Sequence, residues 1–214
     1  MTRTVHVGDG VAWLRGHALA PEAAIVTSMP DHSEVPALGV DGWKRWFVET
    51  AALACSRVAD EAVAVFFQSD VKHDGRWIDK GHLVHTGADA AGSHLLFHKA
   101  VCRKPVGTAT YGRPAWAHLL AFSRALRLDP GVATLDVLPQ LGKMPWARAM
   151  GTDVCAFVCR FLLAQTACRT VIDPFCGVGT MLAVANMHGL DAVGVELSAK
   201  RAARARALVL PPGE

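Results

Sequence analysis

The sequence predicts an α/β fold: a mainly parallel sheet covered on both faces by helices. Three observations carry this. Short apolar runs of strand length alternate with helix-period segments over most of the 214 residues. Two of those runs, "AAIVTS" and "AVAVFFQSD", lack a polar alternation, as strands buried on both faces do. Hydrophobic residues make up 51% of the chain, enough for one sizeable core and hardly for two. One domain over residues 1–214 is therefore expected.

The elements follow in order. "RTVHVGDG" reads as a short strand ending at Gly8-Asp9-Gly10, and "VAWLRGHAL" has helical spacing. "AAIVTS" is a strand stopped by Pro30. "DGWKRWFVETAALACSRVADE" is an amphipathic helix with Asp41 as its cap and Trp43, Phe47, Ala51 and Leu53 near one stripe. "AVAVFFQSD" is a buried strand, "VKHDGRWIDK" a polar loop and "GHLVHTGADAAG" a short helix. "HLLFHKAVC" and "AWAHLLAFS" form a long hairpin around "RKPVGTATYGRP", which adds an antiparallel edge. A turn-rich linker runs from about Leu126 to Trp146, before a helix capped by Thr152 or Asp153. The strand "VIDPF", the helix "GTMLAVANMHG", the strand "DAVGVE" and the helix "SAKRAARARALV" close the pattern. Seven strands are expected, and the tail "LVLPPGE" is expected to be irregular.

Composition narrows the setting. Six cysteines without a CxxC pair, in a chain that opens with no leader pattern, suggest a reduced, cytoplasmic protein. Cys155 and Cys159 lie one helical turn apart, a spacing that could serve a metal, but Ala156, Phe157 and Val158 read as core helix. No apolar run is long enough to span a membrane. The net charge of +3 permits a polyanionic partner without demanding one. The apolar content leaves room for a buried homodimer face.

"VIDPFCGVGT" raises the question of a ligand. Gly177 and Gly179 let the backbone approach closely, and a helix starting near Thr180 points its positive end at the same place. Asp173, at the strand end, can meet a cation such as an amino-acid ammonium. Glu196 ends the next strand and can accept both hydroxyls of a ribose. A ligand with an amino-acid end and a ribose is S-adenosyl-L-methionine. A dinucleotide fits less well, because Ala183 and Val184 stand where the third glycine would be.

"DPFCGVGT" resembles the DPFxGxGT signature of class I S-adenosyl-L-methionine-dependent methyltransferases, above all the circularly permuted group with amino-methylating DNA enzymes and some RNA methylases. The resemblance covers nearly the whole chain. It implies a Rossmann-like sheet in permuted order, with a catalytic half at 1–125 and a cofactor half at 147–210. It implies cofactor contacts by Asp9, Thr152, Asp173, Pro174, Phe175, Gly177, Gly179, Thr180 and Glu196, Asp9 meeting the adenine. Where relatives carry Ser/Asp/Asn-Pro-Pro-Tyr, this chain has Ser28-Met29-Pro30-Asp31. In relatives the first residue steers an exocyclic amine toward the methyl group and the aromatic ring stacks on a flipped-out base. Asp31 puts an anion where that ring stands. Ser28, Pro30 and Asp31 are the catalytic candidates.

Two loops leave the same sheet edge with cations and an aromatic, the composition that suits phosphates and bases. They supply Lys72, Arg76, Trp77 and Lys80, then Lys99, Arg103 and Arg113. The alternative is a pair of solvated charged faces. No segment is long enough for the target-recognition insert of sequence-specific DNA enzymes. Structured RNA, read by shape, is accordingly the favoured substrate, with DNA or a non-catalytic cofactor-binding role as alternatives.

Overall fold

The computed structural model describes residues 1–146 and 148–211. The end of the expected irregular tail and Ala147, where the expected cofactor half opens, lie outside the described residues. In chain order the strands are β1 (Arg3–Val7), β2 (Ala23–Thr27), β3 (Ala64–Gln68), β4 (Val71–His73), β5 (Arg76–Ile78), β6 (His94–Cys102), β7 (Trp116–Ser123), β8 (Val137–Leu138), β9 (Thr170–Asp173) and β10 (Asp191–Glu196). The helices are α1 (Gly10–Gly16), α2 (Gly39–Arg57), α3 (Lys80–Ala90), α4 (Thr152–Gln165), α5 (Thr180–Met187) and α6 (Ala199–Ala207).

One sheet of eight strands runs through the molecule in the order β1-β10-β9-β2-β3-β7-β6-β8. Only β7 runs against its neighbours, β3 and β6; every other pairing is parallel. The sheet therefore has one strand more than expected. The extra strand, β8, is a two-residue piece of the turn-rich linker that pairs with β6. Such a short pairing leaves no periodic signal.

The apolar runs explain the layering. Along β2, Ala24 and Val26 face one core while Ala23 and Ile25 face the other. β3 divides the same way, Val65 and Phe67 against Ala64 and Phe66. Helices α4, α5 and α6 cover the first face through residues such as Val158, Leu182 and Ala202. Helices α1, α2 and α3 cover the second through Leu14, Trp43, Phe47 and Val84. Cys155 and Cys159 belong to the first core, and all six cysteines are unbridged. Among the described residues no helix is long and apolar enough to cross a membrane.

Three local expectations change. The "polar loop" is a hairpin, β4–β5, turning at Asp74 and Gly75, whose φ angles are 47° and 75°. An Asp-Gly pair is the residue choice for a two-residue hairpin turn. Asp41 lies in the first turn of α2 instead of capping it; the cap is Leu38. Helix α4 is capped by Gly151, with Thr152 and Asp153 already inside it. Gly151 is required there because a Cβ would sit 2.0 Å from the Leu141 carbonyl oxygen.

Candidate cofactor cleft and acceptor site

The parallel strands deliver their C-terminal ends to one cleft of about 450 Å³, the position where open α/β sheets bind ligands. β9 ends at buried Asp173, whose Oδ1 accepts hydrogen bonds from Thr27 Oγ1 at 2.7 Å and Phe175 N at 3.1 Å. Burial, reinforced by the Glu196 carboxylate and opposed by these two bonds, pushes the Asp173 carboxyl up to about 7.

The turn after β9 is built on Gly177 (φ 56°) and Gly179 (φ 83°). A Cβ on Gly179 would lie 2.8 Å from the Ala205 Cβ of α6. Thr180 then opens α5 and lines the cleft; its hydroxyl is buried without a hydrogen-bond partner among the described residues. Such an orphan polar atom points to a missing ligand. Glu196 ends β10, also buried. Its Oε1 accepts from Ser198 N (2.7 Å), Arg201 Nε (2.9 Å) and Arg201 Nη2 (2.7 Å). Among the described residues, the bonds to this carboxylate all use Oε1.

Asp9, Pro174, Phe175, Gly177, Thr180 and Glu196 line the same cleft, while Gly179 backs the turn against α6. Asp9 also caps α1, accepting from Ala12 N at 2.7 Å. Gly10 lets α1 start against the turn: a Cβ there would sit 2.0 Å from the Pro174 carbonyl oxygen. Thr152 does not line the cleft. Its hydroxyl accepts from Lys143 N at 3.0 Å and its amide donates to Lys143 O at 2.9 Å, pinning the preceding loop. That loop supplies the wall: Leu141, Met144, Trp146 and Met150 line the cleft. Sequence reasoning missed these residues; the only signal was a tryptophan and two methionines among turn residues.

The candidate acceptor side is the segment after β2. Ser28, Met29, Pro30 and Asp31 all line the cleft. The Pro30 carbonyl accepts from buried Trp43 Nε1 at 3.0 Å, which fixes the segment on α2. Asp31, 6% exposed, pairs with Lys80 Nζ at 2.5 Å through Oδ1 and with Arg113 through Oδ2. Burial works to raise the Asp31 carboxyl, but the two cations outweigh it and hold it below the ordinary carboxylate range. Its amide donates to Glu34 Oε2 at 3.1 Å, and Glu34 pairs with Arg148 at 2.8 Å.

The seven basic-loop residues separate into three groups. Arg103 and Arg113, from the β6–β7 connection, line the cleft. Lys72, Arg76 and Trp77 are exposed on the β4–β5 hairpin outside the cleft wall, with Lys72 Nζ 5.7 Å from the Trp77 ring centre. His73 of that hairpin lies 5.3 Å, ring to ring, from His32 beside the acceptor segment. Lys80 and Lys99 are not rim residues. Lys80 is buried against Asp31, and Lys99, 4% exposed, reaches Asp136 at 3.5 Å across Phe97 and Phe157. Both are buried with Nζ near an aromatic ring and a carboxylate, so charge alone misplaces them.

Comparison with known proteins places this arrangement. No family model and no curated protein matches the chain. Solved structures do. A protein described as a DNA modification methylase from Thermus thermophilus, complexed with S-adenosyl-L-methionine, aligns at TM-score 0.72 and 17% identity, over 97% of this chain and 94% of that one. PvuII DNA methyltransferase (cytosine-N4-specific) aligns at TM-score 0.73 and 13% identity, over 96% and 85%. The M1.HpyAVI complex with S-adenosyl-L-methionine aligns at 0.62 and 12%, over 96% and 98%. The shared property is the fold.

Proposed function

We propose that this chain is an S-adenosyl-L-methionine-dependent methyltransferase acting on nucleic acid, with DNA the favoured substrate. The observation that carries the reading is a single cleft shared by two distant pieces of chain: the Asp173–Thr180 turn with Glu196, and the Ser28–Asp31 segment with Arg103 and Arg113. The pairing of β1 with β10 supports a permuted strand order, since it joins the first strand of the chain to the last.

The residues fit the cofactor. The buried Asp173 carboxylate would take its ammonium, Glu196 Oε2 a ribose hydroxyl, and the Thr180 hydroxyl with the first amides of α5 its carboxylate. Asp9, Pro174 and Phe175 would border the adenosine. Bound there, the cofactor supplies a methyl group already activated by a sulfonium. The chain then has to orient an acceptor and exclude water, for which positioning is the main lever. Ser28, the segment's backbone and Asp31 face that acceptor. Arg103 and Arg113 suit a flanking phosphate.

The expectation of RNA rests on the lack of a recognition insert and on the basic loops. The Thermus thermophilus protein is covered over 94% of its length by this chain and is described as a DNA modification methylase. Compactness therefore does not argue against DNA. Incubation with methyl-labelled cofactor and, separately, genomic DNA, total RNA and a metabolite extract tests the reading. Label in DNA is expected. Label in RNA alone would restore the RNA substrate, and label confined to small molecules would remove nucleic acid altogether.

A further inference from the structure

The acceptor side of the cleft contains a buried ammonium that the cofactor reading leaves unused. Lys80 is 3% exposed and lines the cleft. Its Nζ donates to Asp31 Oδ1 at 2.5 Å and lies 5.6 Å from the Phe47 ring centre. Its place is set by backbone as well as by charge. Lys80 N donates to Asp70 Oδ1 at 2.9 Å, and the same oxygen faces His118 Nε2 at 2.9 Å. His118 Nδ1 in turn faces His98 Nε2 at 2.9 Å. Gly81 makes this approach possible, because a Cβ there would sit 2.7 Å from His118 Nδ1. A line of hydrogen bonds thus runs from β6 through β7 and the start of α3 to the acceptor segment.

Burying a lysine is costly, and a buried pair is weak evidence for stability. A structural purpose alone would be met as well by an apolar side chain of similar volume. What Lys80 supplies instead is orientation. With Arg113 on the other oxygen, it fixes both the plane and the charge of Asp31, and a carboxylate has more acceptor sites than these two cations use.

We propose that Lys80 is a positioning residue for methyl transfer: it holds Asp31 as an oriented hydrogen-bond acceptor that aligns a base edge bearing N–H donors, where the resembling sequences carry a stacking ring. The inference rests on the methyltransferase reading. Asp31 accepts a hydrogen bond in this role and need not take the proton. The charged groups around it are Lys80 from α3, Arg113 and Arg103 from the β6–β7 connection, and Glu34 with its partner Arg148. Without Lys80, the burial that raises the Asp31 carboxyl would be opposed mainly by Arg113.

The test uses the full chain and a nucleic acid that the wild type labels. Cofactor affinity of Lys80→Met is measured by calorimetry, then kcat and KM across pH. The expected result is unchanged cofactor affinity and KM, kcat lower by about 100-fold, and an acid limb of activity moved to higher pH. Ethylammonium added to Lys80→Ala should restore part of the rate. A wild-type kcat and pH profile in Lys80→Met would overturn the proposal. So would cofactor affinity lost in step with kcat and no rescue by the amine, which would make Lys80 a folding residue. A wild type that binds cofactor yet labels no nucleic acid would fell the methyltransferase reading, and this inference with it; there the failure shows before any variant is made.

Discussion

Asp173 sets a conflict between stability and binding at a single carboxyl group. In the ligand-free fold its carboxyl is raised to about 7, above the 3.8 of an unfolded chain. A raised acid contributes stability that is complete below pH 3.8 and lost as pH climbs through 7. Thr27 and Phe175 both donate to Oδ1, and an amide oxygen can accept both. Asp173→Asn should therefore raise the Tm of the ligand-free protein at about pH 8, with the gain vanishing near pH 4, as thermal melts at the two pH values would show. The same change should abolish cofactor binding in a calorimetric titration. In the wild type, cofactor affinity should rise with pH through about 7 as the carboxyl ionises. Asp173 and Phe175 were legible in the sequence because a short motif places them on one turn; Thr27, on β2, was not. Lys80 was not. Its partner Asp31 lies 49 positions away, and a lysine between Asp79 and a helix looks the same whether solvated or buried.

At the scale of elements, the cleft depends on close approaches between backbones. The β9–α5 turn lies against α6 at Gly179, and α1 starts against Pro174 at Gly10. Gly179→Ala combines a left-handed φ with overlap at Ala205, and should destabilise by about 2–4 kcal/mol in urea melts. It should also weaken cofactor binding, because the turn carries both Gly177 and the Thr180 hydroxyl. The strands were readable because β2 and β3 are apolar on both faces, as strands covered by helices on both sides are. The β4–β5 hairpin was readable in principle from Asp74-Gly75, but its strands are only three residues each, too short for a clear alternation. The wall before α4 was not. It is fixed by backbone bonds from Leu141 and Lys143 to the first turn of that helix, which depend on tertiary placement.

For the whole molecule, the charge distribution bears on partner binding. Lys72 and Arg76 stand exposed on the hairpin beside the acceptor segment, clear of the cleft. If they contact phosphates, replacing both with alanine should weaken nucleic-acid binding at every sequence. The slope of log affinity against log salt should shrink by about 2. Cofactor affinity should stay as it was. A slope that does not move would assign the hairpin another task.

The sheet order also dictates when the molecule becomes competent. β1 leaves a ribosome well before its neighbour β10, 189 positions separating Arg3 from Ala192. β2 likewise waits for β9. A nascent chain halted after Gln165 would carry β2 and β3 with one naked parallel edge and without the Asp173–Glu196 side of the cleft. Such a fragment should stick to its own kind, because the edge of β2 stays bare until β9 is made to cover it.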